Sequence, residues 1–588
     1  MVNGAAPRSP SWGLSTALVL ATLLTAESFL LALAYVGSVS ARHLVLILLA
    51  GLAPWPLLFF RRRPDHLPPK GPPNRLLLAT VALAAGAVVA VKHYGIWQRG
   101  REFLPAVHDE WSYLFGARVF AAGRLTAPAP PDPEAFRQVH VLVMGDRWMS
   151  RYPPGHLAML AIGVILGSPF LVPIVNVAAA TTILVCWLAR RTGSAHVGVL
   201  LGALLVCSPG LDLAGTTYLS QSSFLLWATV AITTAVEGVL RNRPFLVSLA
   251  VLAAGAAFLT RPYSAVAMFF PPVCFGVLIV ALRHGRRSLL QHAAAALPPL
   301  AATLFVWFAY NAATTGSPLR SPWQVYNERF EPANTLGVGR VADPEKLPAD
   351  PVLRRKALGI QRERERFTLR EAIRRSFLSP IRFRQYIGAT CVFAGTTLLM
   401  GASFFLASAR PLVALIGLPV LGHYLAYAFF YSKWGAYATE PAPFLAVLVA
   451  LGAMACGQVS QRSARPLLGL YGSGLIAVNL VAGAVVLPRL VELRHEETAY
   501  HRQFNAIEAQ IKERPALLLV RLDLAQPRPY DPICNDPFLR SPVIRAIDPG
   551  QKRRQELIER FPERAVYLYD ERTGMLRQLR GRPGNALH

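Results

Sequence analysis

The residues best equipped for chemistry stand together at His108-Asp109-Glu110-Trp111-Ser112-Tyr113. A carboxylate in such a setting can act as a general base. Trp111, Leu114, Phe115, Val119 and Ala122 follow the i, i+3, i+4 rhythm of an amphipathic helix, which Gly123 can end. Asp109 and Glu110 are therefore expected at its N-terminus. On spacing alone the simplest role for Asp109 is the N-cap, worth about 1 kcal/mol.

Further along, Ser150-Arg151-Tyr152-Pro153-Pro154-Gly155 precedes another apolar stretch. Thr260-Arg261-Pro262-Tyr263 interrupts two apolar segments. A proline there ends a helix, and an arginine so close to hydrocarbon must be paired or snorkelled. Arg261 thus reads as a hairpin anchor or as a phosphate contact. Tyr310-Asn311 and Thr315-Gly316-Ser317-Pro318-Leu319-Arg320 close a later apolar run with turn chemistry. Arg320, Trp323 and Tyr326 have the composition of a sugar or headgroup site, although aromatics are expected at a membrane interface in any case. His108, His140 and His156 share the first region with two carboxylates, so a divalent metal is conceivable, but no His-x-x-x-His spacing supports one.

The elements that must position these residues are membrane helices. The chain of 588 residues is 53% hydrophobic and 16% charged, whereas a soluble protein carries about 25% charged residues. Runs long enough to cross a bilayer lie at 14–37, 43–60, 76–94, 169–188, 196–213, 219–239, 245–260, 263–282, 289–311, 387–408, 411–431, 441–458 and 466–487. The fold class expected is an all-α polytopic membrane protein of about thirteen transmembrane helices. Short loops bearing Arg61 to Arg63 with Lys70, Arg190 and Arg191, Arg241 and Arg243, Arg283 with Arg286 and Arg287, Arg410, and Arg462 with Arg465 alternate along the chain. Basic short loops stay inside. The N-terminus is then cytoplasmic and the C-terminus extracytoplasmic, in a membrane such as the bacterial inner membrane. The first span, preceded by Arg8 and containing Glu27, lacks a cleavage site and reads as retained.

The net charge of +27 belongs largely to these anchors, so membrane lipids and not nucleic acid are the expected partners. Six cysteines, five in or near spans and Cys534 outside, give no disulfide framework. Residues 1–487 form the expected membrane module, with outer loops at 95–168 and 312–386. Residues 488–588 read as a small extracytoplasmic α/β domain, with helices at 490–512 and 551–560 and strands at 516–520 and 565–569. In the middle loop, Thr368 and Glu371 make a capping box before Leu369, Ile373 and Phe377 at intervals of four. This helix lies either in the membrane interface or free in solvent. No P-loop or dinucleotide motif is present.

An Asp-Glu-x-x-Tyr helix in the first outer loop, a Tyr-Pro-Pro-Gly turn about forty residues on and many later spans resemble the membrane glycosyltransferases of the GT-C superfamily, above all their protein-mannosyltransferase and aminoarabinose-transferase branch. The resemblance is carried by motifs over residues 95–270. It implies a polyprenyl-phosphate sugar as donor, Asp109 as the base that deprotonates an acceptor, and Glu110 as its neighbour in the site. Inverting transfer also needs cationic or metal stabilisation of the leaving phosphate. Arg118, Arg151 and Arg261 are candidates for that task, with headgroup anchoring as the plainer role of the first two. Tyr113 and Tyr152 are candidates for orienting sugar or phosphate. Two positions depart from the pattern: Ser112 stands where aminoarabinose-transferring relatives commonly carry arginine, and Gln221 where many relatives have a second aspartate. Asp212 lies near but out of register.

The expected activity is inverting transfer of a sugar to an extracytoplasmic protein, lipid or polysaccharide, with Gln221, Arg320 and Tyr326 as further contacts. The alternatives are a transporter or flippase of lipid-linked glycans, and a non-catalytic subunit of envelope assembly.

Overall fold

A computed structural model describes residues 74–339, 346–378, 381–390, 410–432, 434–462, 466–525 and 531–582. The expected spans at 14–37 and 43–60, and most of that at 387–408, lie outside the described residues.

Helix α1 (Arg75–Ile96) starts at Asn74, whose Oδ1 accepts from the backbone N–H groups of Leu76 and Leu77 at 3.0 and 3.2 Å. It runs through a π-helical turn to Glu102, in the left-handed region at φ 51°. A segment outside the long apolar helices follows, with α2 (His108–Ala121), strands β1 (Ala127–Pro128), β2 (Val141–Met144) and β3 (Arg147–Ser150) in the order β1-β3-β2, and α3 (Pro154–Ile165). Then come α4 (Leu171–Thr192), α5 (Ala195–Val206), α6 (Pro209–Gly215), α7 (Gln221–Leu240), α8 (Pro244–Thr260) and α9 (Pro262–Thr315).

The span expected at 196–213 is broken: α5 and α6 meet at 65°. Pro209 cannot continue the hydrogen-bond ladder of α5, and Ser208 caps the new helix by accepting from Leu211 N–H. The break lets Asp212 turn onto Lys92 (2.7 Å) and His93 (3.2 Å) of α1. Conversely, the spans expected at 263–282 and 289–311 share α9, whose 54 residues are interrupted by non-helical Gly285 (φ 78°, ψ 176°). A straight helix of that length would extend about 80 Å, far beyond a hydrocarbon core of about 30 Å.

The middle loop contains α10 (Pro322–Phe330), opened by a Ser321–Gln324 capping box, and then α11 (Pro351–Arg366) and α12 (Leu369–Ile373), which continues as a π turn to Leu378. The chain re-enters the bundle through α13 (Ile381–Thr390), and α14 (Arg410–Ala428), α15 (Ala442–Arg462) and α16 (Pro466–Ala509) complete it. Among the described residues five helices, or six with the bent pair, are long and apolar enough to cross a membrane.

Beyond α16 lie β4 (Ala516–Arg521), β5 (Val543–Ile547), α17 (Gln551–Glu559), β6 (Ala565–Asp570) and β7 (Met575–Arg580), in a sheet of order β5-β4-β6-β7. Strand β4 is parallel to both neighbours and buried from Ala516 to Val520, as a central strand covered on both faces must be. Phe504, Ile507 and Ile511 cover one face. Ala135 and Phe136 of the segment between α2 and α3 join the other, where Ile547 N–H donates to Ala135 O at 2.7 Å. The sheet and the segment between α2 and α3 thus share one core, which fixes the loop that carries the candidate site.

Candidate functional site

Helix α2 begins after Val107, whose extended backbone starts the helix without a side-chain cap. Asp109 is the second helical residue, so the N-cap role expected from spacing is incorrect. Its carboxylate sits in the first turn, where the helix dipole favours negative charge, and 29% of its side chain stays exposed. Glu110 points the other way and is buried. Arg101 grips it at 2.7 and 3.2 Å, and it accepts the N–H groups of Ala106 (3.3 Å) and Tyr218 (2.9 Å). All its acceptor capacity goes to fixing the loop, so its geometry is that of an anchor and not of a proton acceptor.

The β2–β3 hairpin, paired from Val141↔Ser150 to Met144↔Arg147, brings His140 and Arg151 side by side, with Arg151 N–H donating to His140 O at 3.1 Å. Ser112 pins this hairpin to α2: its hydroxyl donates to His140 O (2.6 Å) and meets Ser150 Oγ at 2.8 Å. The departure from arginine at this position therefore has a structural job. Gly155, just after the Tyr-Pro-Pro turn, lies so close to α8 that a Cβ would come within 2.8 Å of the Leu259–Thr260 backbone.

The two motifs meet at Tyr152. Its hydroxyl donates a short hydrogen bond to Asp109, accepts from Arg151 at 3.2 Å and lies 3.2 Å from His140 Nδ1. Its ring stacks on Tyr113 at 4.1 Å. Tyr113 in turn donates to Ser220 Oγ (2.9 Å), which also accepts from Arg261 (2.9 Å). Arg261 is held by Glu440 at 2.6 Å. The paired tyrosines thus have Arg151 at one end and Arg261 at the other.

On the other side of Arg151 from Tyr152, Glu331 accepts from Arg151 (2.8 Å, through Nη1), Lys356 (2.7 Å) and Asn334 (2.9 Å). Lys356 Nζ also contacts His140 Nε2, which lies 3.4 Å from Glu331, while the Nδ1 of the same ring faces Tyr152. The Arg151 guanidinium lies over the Tyr326 ring at 4.9 Å, and Tyr326 Oη accepts from His140 N–H at 3.1 Å.

Burial alone would raise the Asp109 pKa, but His140, Arg151, Lys356 and the Tyr152 hydrogen bond bring it down to about 2. Burial, aided by Arg151 and Lys356, lowers His140 to about 4, so the ring is neutral at pH 7. Burial opposes the charge on Glu331 too, yet Arg151 and Lys356 hold its carboxyl well below the usual range. Burial lowers Lys356 against the pull of Glu331 and Asp109. Asp109 and Glu331 balance Arg151 and Lys356, so the cluster is formally neutral.

Asp109, Tyr113, Arg151, Tyr152, Arg261 and Tyr326 are therefore brought into one connected network. Arg118 lies nine residues after Asp109 on α2, about 13 Å along the axis. Arg320 is exposed and paired with Glu328. Gln221 is buried at the start of α7, next to Ser220, with neither amide atom hydrogen-bonded among the described residues. Of the three histidines, His140 contacts the carboxylates of Asp109 and Glu331, and no group of three His, Cys, Asp or Glu side chains placed to hold a metal occurs among the described residues.

No family model and no curated protein matches the sequence. Among solved structures, ArnT from Cupriavidus metallidurans bound to undecaprenyl phosphate superposes with a TM-score of 0.52 at 13% identity, covering 83% of this chain and 92% of that one. Its apo form covers the same shares with a TM-score of 0.48. This chain is an integral membrane protein with the fold of ArnT.

Proposed function

We propose that the protein transfers a sugar, with inversion, from a polyprenyl-phosphate donor to an acceptor on the extracytoplasmic side, and that Asp109 is the base. The observation that carries this reading is the meeting of the two motifs: a partly exposed carboxylate on the first, bound by the tyrosine and flanked by the arginine of the second. Support for a lipid-phosphate donor comes from the fold partner, whose structure contains undecaprenyl phosphate. Residues 1–487 act as the catalytic membrane module and residues 488–588 as its outer cap.

In this mechanism the acceptor hydroxyl approaches Asp109 from the outer aqueous side, and the carboxylate takes its proton as the new glycosidic bond forms opposite the leaving phosphate. Arg151 and Arg261, at the two ends of the tyrosine stack, supply positive charge for the phosphate as the sugar–oxygen bond breaks. Tyr113 and Tyr152 give the sugar aromatic contacts, and the buried Gln221 amide, without a hydrogen-bond partner among the described residues, is a further polar group beside Ser220.

The test is transfer from a panel of polyprenyl-phosphate sugars to cell-envelope acceptors, comparing the wild type with Asp109→Asn. The substitution should lower kcat by about 10²- to 10⁴-fold, the range for loss of a positioned base. Equal transfer by both forms, or no transfer by folded wild type from any donor, refutes the reading.

A further inference from the structure

The middle loop carries an apolar face that nothing in the described residues covers. Leu369, Ile373, Phe377 and Leu378 are 54%, 40%, 55% and 75% exposed. The spacing of the first three places them along one side of α12 and the π turn that continues it. Thr368 caps this helix by accepting from Glu371 N–H, whereas the Glu371 carboxylate is taken by Arg374 and Arg375. Arg366 and Arg370 stand exposed beside the apolar side chains.

The neighbours of this segment fix its depth. Tyr424 of α14 donates to Ser376 O, and its ring lies 6.3 Å from Phe377. Tyr424 is four residues from the end of α14, about 6 Å below its outer terminus. From Ile381 the chain runs inward through α13 to Ala389, whose carbonyl accepts from Ser208 Oγ at 2.7 Å. An element level with the last turn of a spanning helix, at the point of re-entry, lies in the interfacial region of the bilayer. Aromatic Phe430, Tyr431, Trp434 and Tyr437 cluster at the same end of α14, as side chains at that level do.

We propose that residues 369–378 are a membrane-seated shelf, with Leu369, Ile373, Phe377 and Leu378 inserted into the outer leaflet and Arg366 and Arg370 holding anionic phospholipid headgroups. Apolar residues below and arginines at phosphate level are what an interfacial amphipathic helix requires. The shelf is coupled to the candidate site by a short relay. Arg375 donates to Tyr431 O (3.1 Å), Tyr431 donates to Asn334 Oδ1 (3.0 Å), and Asn334 donates to Glu331 (2.9 Å). Seating on the bilayer thus sets the height of Glu331, and with it Lys356, above the membrane. The lipid contact itself does not depend on the transferase reading.

The experiment uses full-length protein in nanodiscs of phosphatidylcholine with a minority of phosphatidylglycerol. The photoreactive residue benzoylphenylalanine replaces Phe377, Leu369 or, as a control on the preceding helix α11, the exposed Glu363. Irradiation should give lipid adducts at 369 and 377 and almost none at 363. Phosphatidylglycerol should be over-represented among the adducts by roughly fivefold per arginine, the ratio equivalent to about 1 kcal/mol for a basic residue at an anionic surface. Arg366→Gln with Arg370→Gln should return it to its bulk share. Equal adduct yield at 363 and 377, or adducts that mirror the bulk lipid composition in the wild type, overturns the proposal.

Discussion

Glu331→Gln is the most informative single change in the cluster, because it removes one charge and almost no volume. In the wild type two carboxylates offset Arg151 and Lys356 while His140 stays neutral. The variant leaves one uncompensated positive charge where Arg151 is only 7% exposed. Breaking a buried pair by removing one partner costs about 3–5 kcal/mol. Lys356 is 27% exposed and can relieve part of this by solvation or by losing its proton, so the lower end, about 3 kcal/mol, is expected. The assay is thermal unfolding of full-length protein in nanodiscs of uncharged lipid, with and without polyprenyl monophosphate. The variant should melt several degrees below the wild type without the phosphate and recover more than the wild type gains when it is added, since an anion replaces the missing carboxylate. If the variant melts within a degree of the wild type, or the lipid phosphate stabilises both equally, the charge-balance argument fails.

Two further outcomes follow from the same contacts. His140, lowered by burial and then by Arg151 and Lys356 from 6.5 to about 4, takes up a proton in the unfolded chain before it does so in the folded one. Its contribution is thus fully present above pH 6.5 and lost as pH falls toward 4, a change of about 3 kcal/mol. His140→Gln should flatten that part of the stability-against-pH curve, and an unchanged slope would refute the assignment. Ser112→Ala removes a hydroxyl that serves both His140 O and Ser150 Oγ. It should cost about 1–2 kcal/mol and loosen the hairpin, seen as faster hydrogen exchange at Val141 to Ser150; no change in exchange would count against the pinning role.

The helical membrane class and the two motifs were legible because each rests on local signals. Apolar length marks a span, and i, i+3, i+4 spacing marks α2. The Asp109–Tyr152 pairing could be anticipated only as a resemblance, since the hairpin that creates it is made of short strands around His140. Glu331 and Lys356 escaped the sequence reading. They sit 180 residues from Arg151 and 216 from His140, in a polar loop with no motif, and only tertiary packing joins them. A usable signal did exist for Asp212 and Lys92: both ionisable groups fall within apolar runs, where burial demands a partner. Strands β5 and β7 were missed for a different reason. One holds Arg545 within five residues, and the other is a largely exposed edge with charges on both faces.

The low proton affinity of Asp109 bears directly on the proposed mechanism. A carboxylate at about pKa 2 is ionised at every physiological pH, but it is a weak base, and catalysis by proton transfer gains as the pKa of the base rises toward the working pH. The depression comes from His140, Arg151, Lys356 and the Tyr152 hydrogen bond. Two of these are cations that a phosphate would engage. Arg151 is 4.0 Å from Asp109, so a phosphate on its far side stands about 7 Å away and interacts with the carboxylate by roughly 2 kcal/mol at an effective dielectric of about 20. That raises the Asp109 pKa by between about one and two units. Donor binding would then sharpen the base only when a sugar is present to be transferred. The consequence is measurable, because kcat/KM reports ionisations of the free enzyme and kcat those of the complex. The acid limb of kcat should lie at higher pH than that of kcat/KM, and both limbs should vanish in Asp109→Asn. Coincident limbs in the wild type would mean that the donor phosphate does not reach the Arg151–Lys356 end of the site, and would move its cationic partner to Arg261.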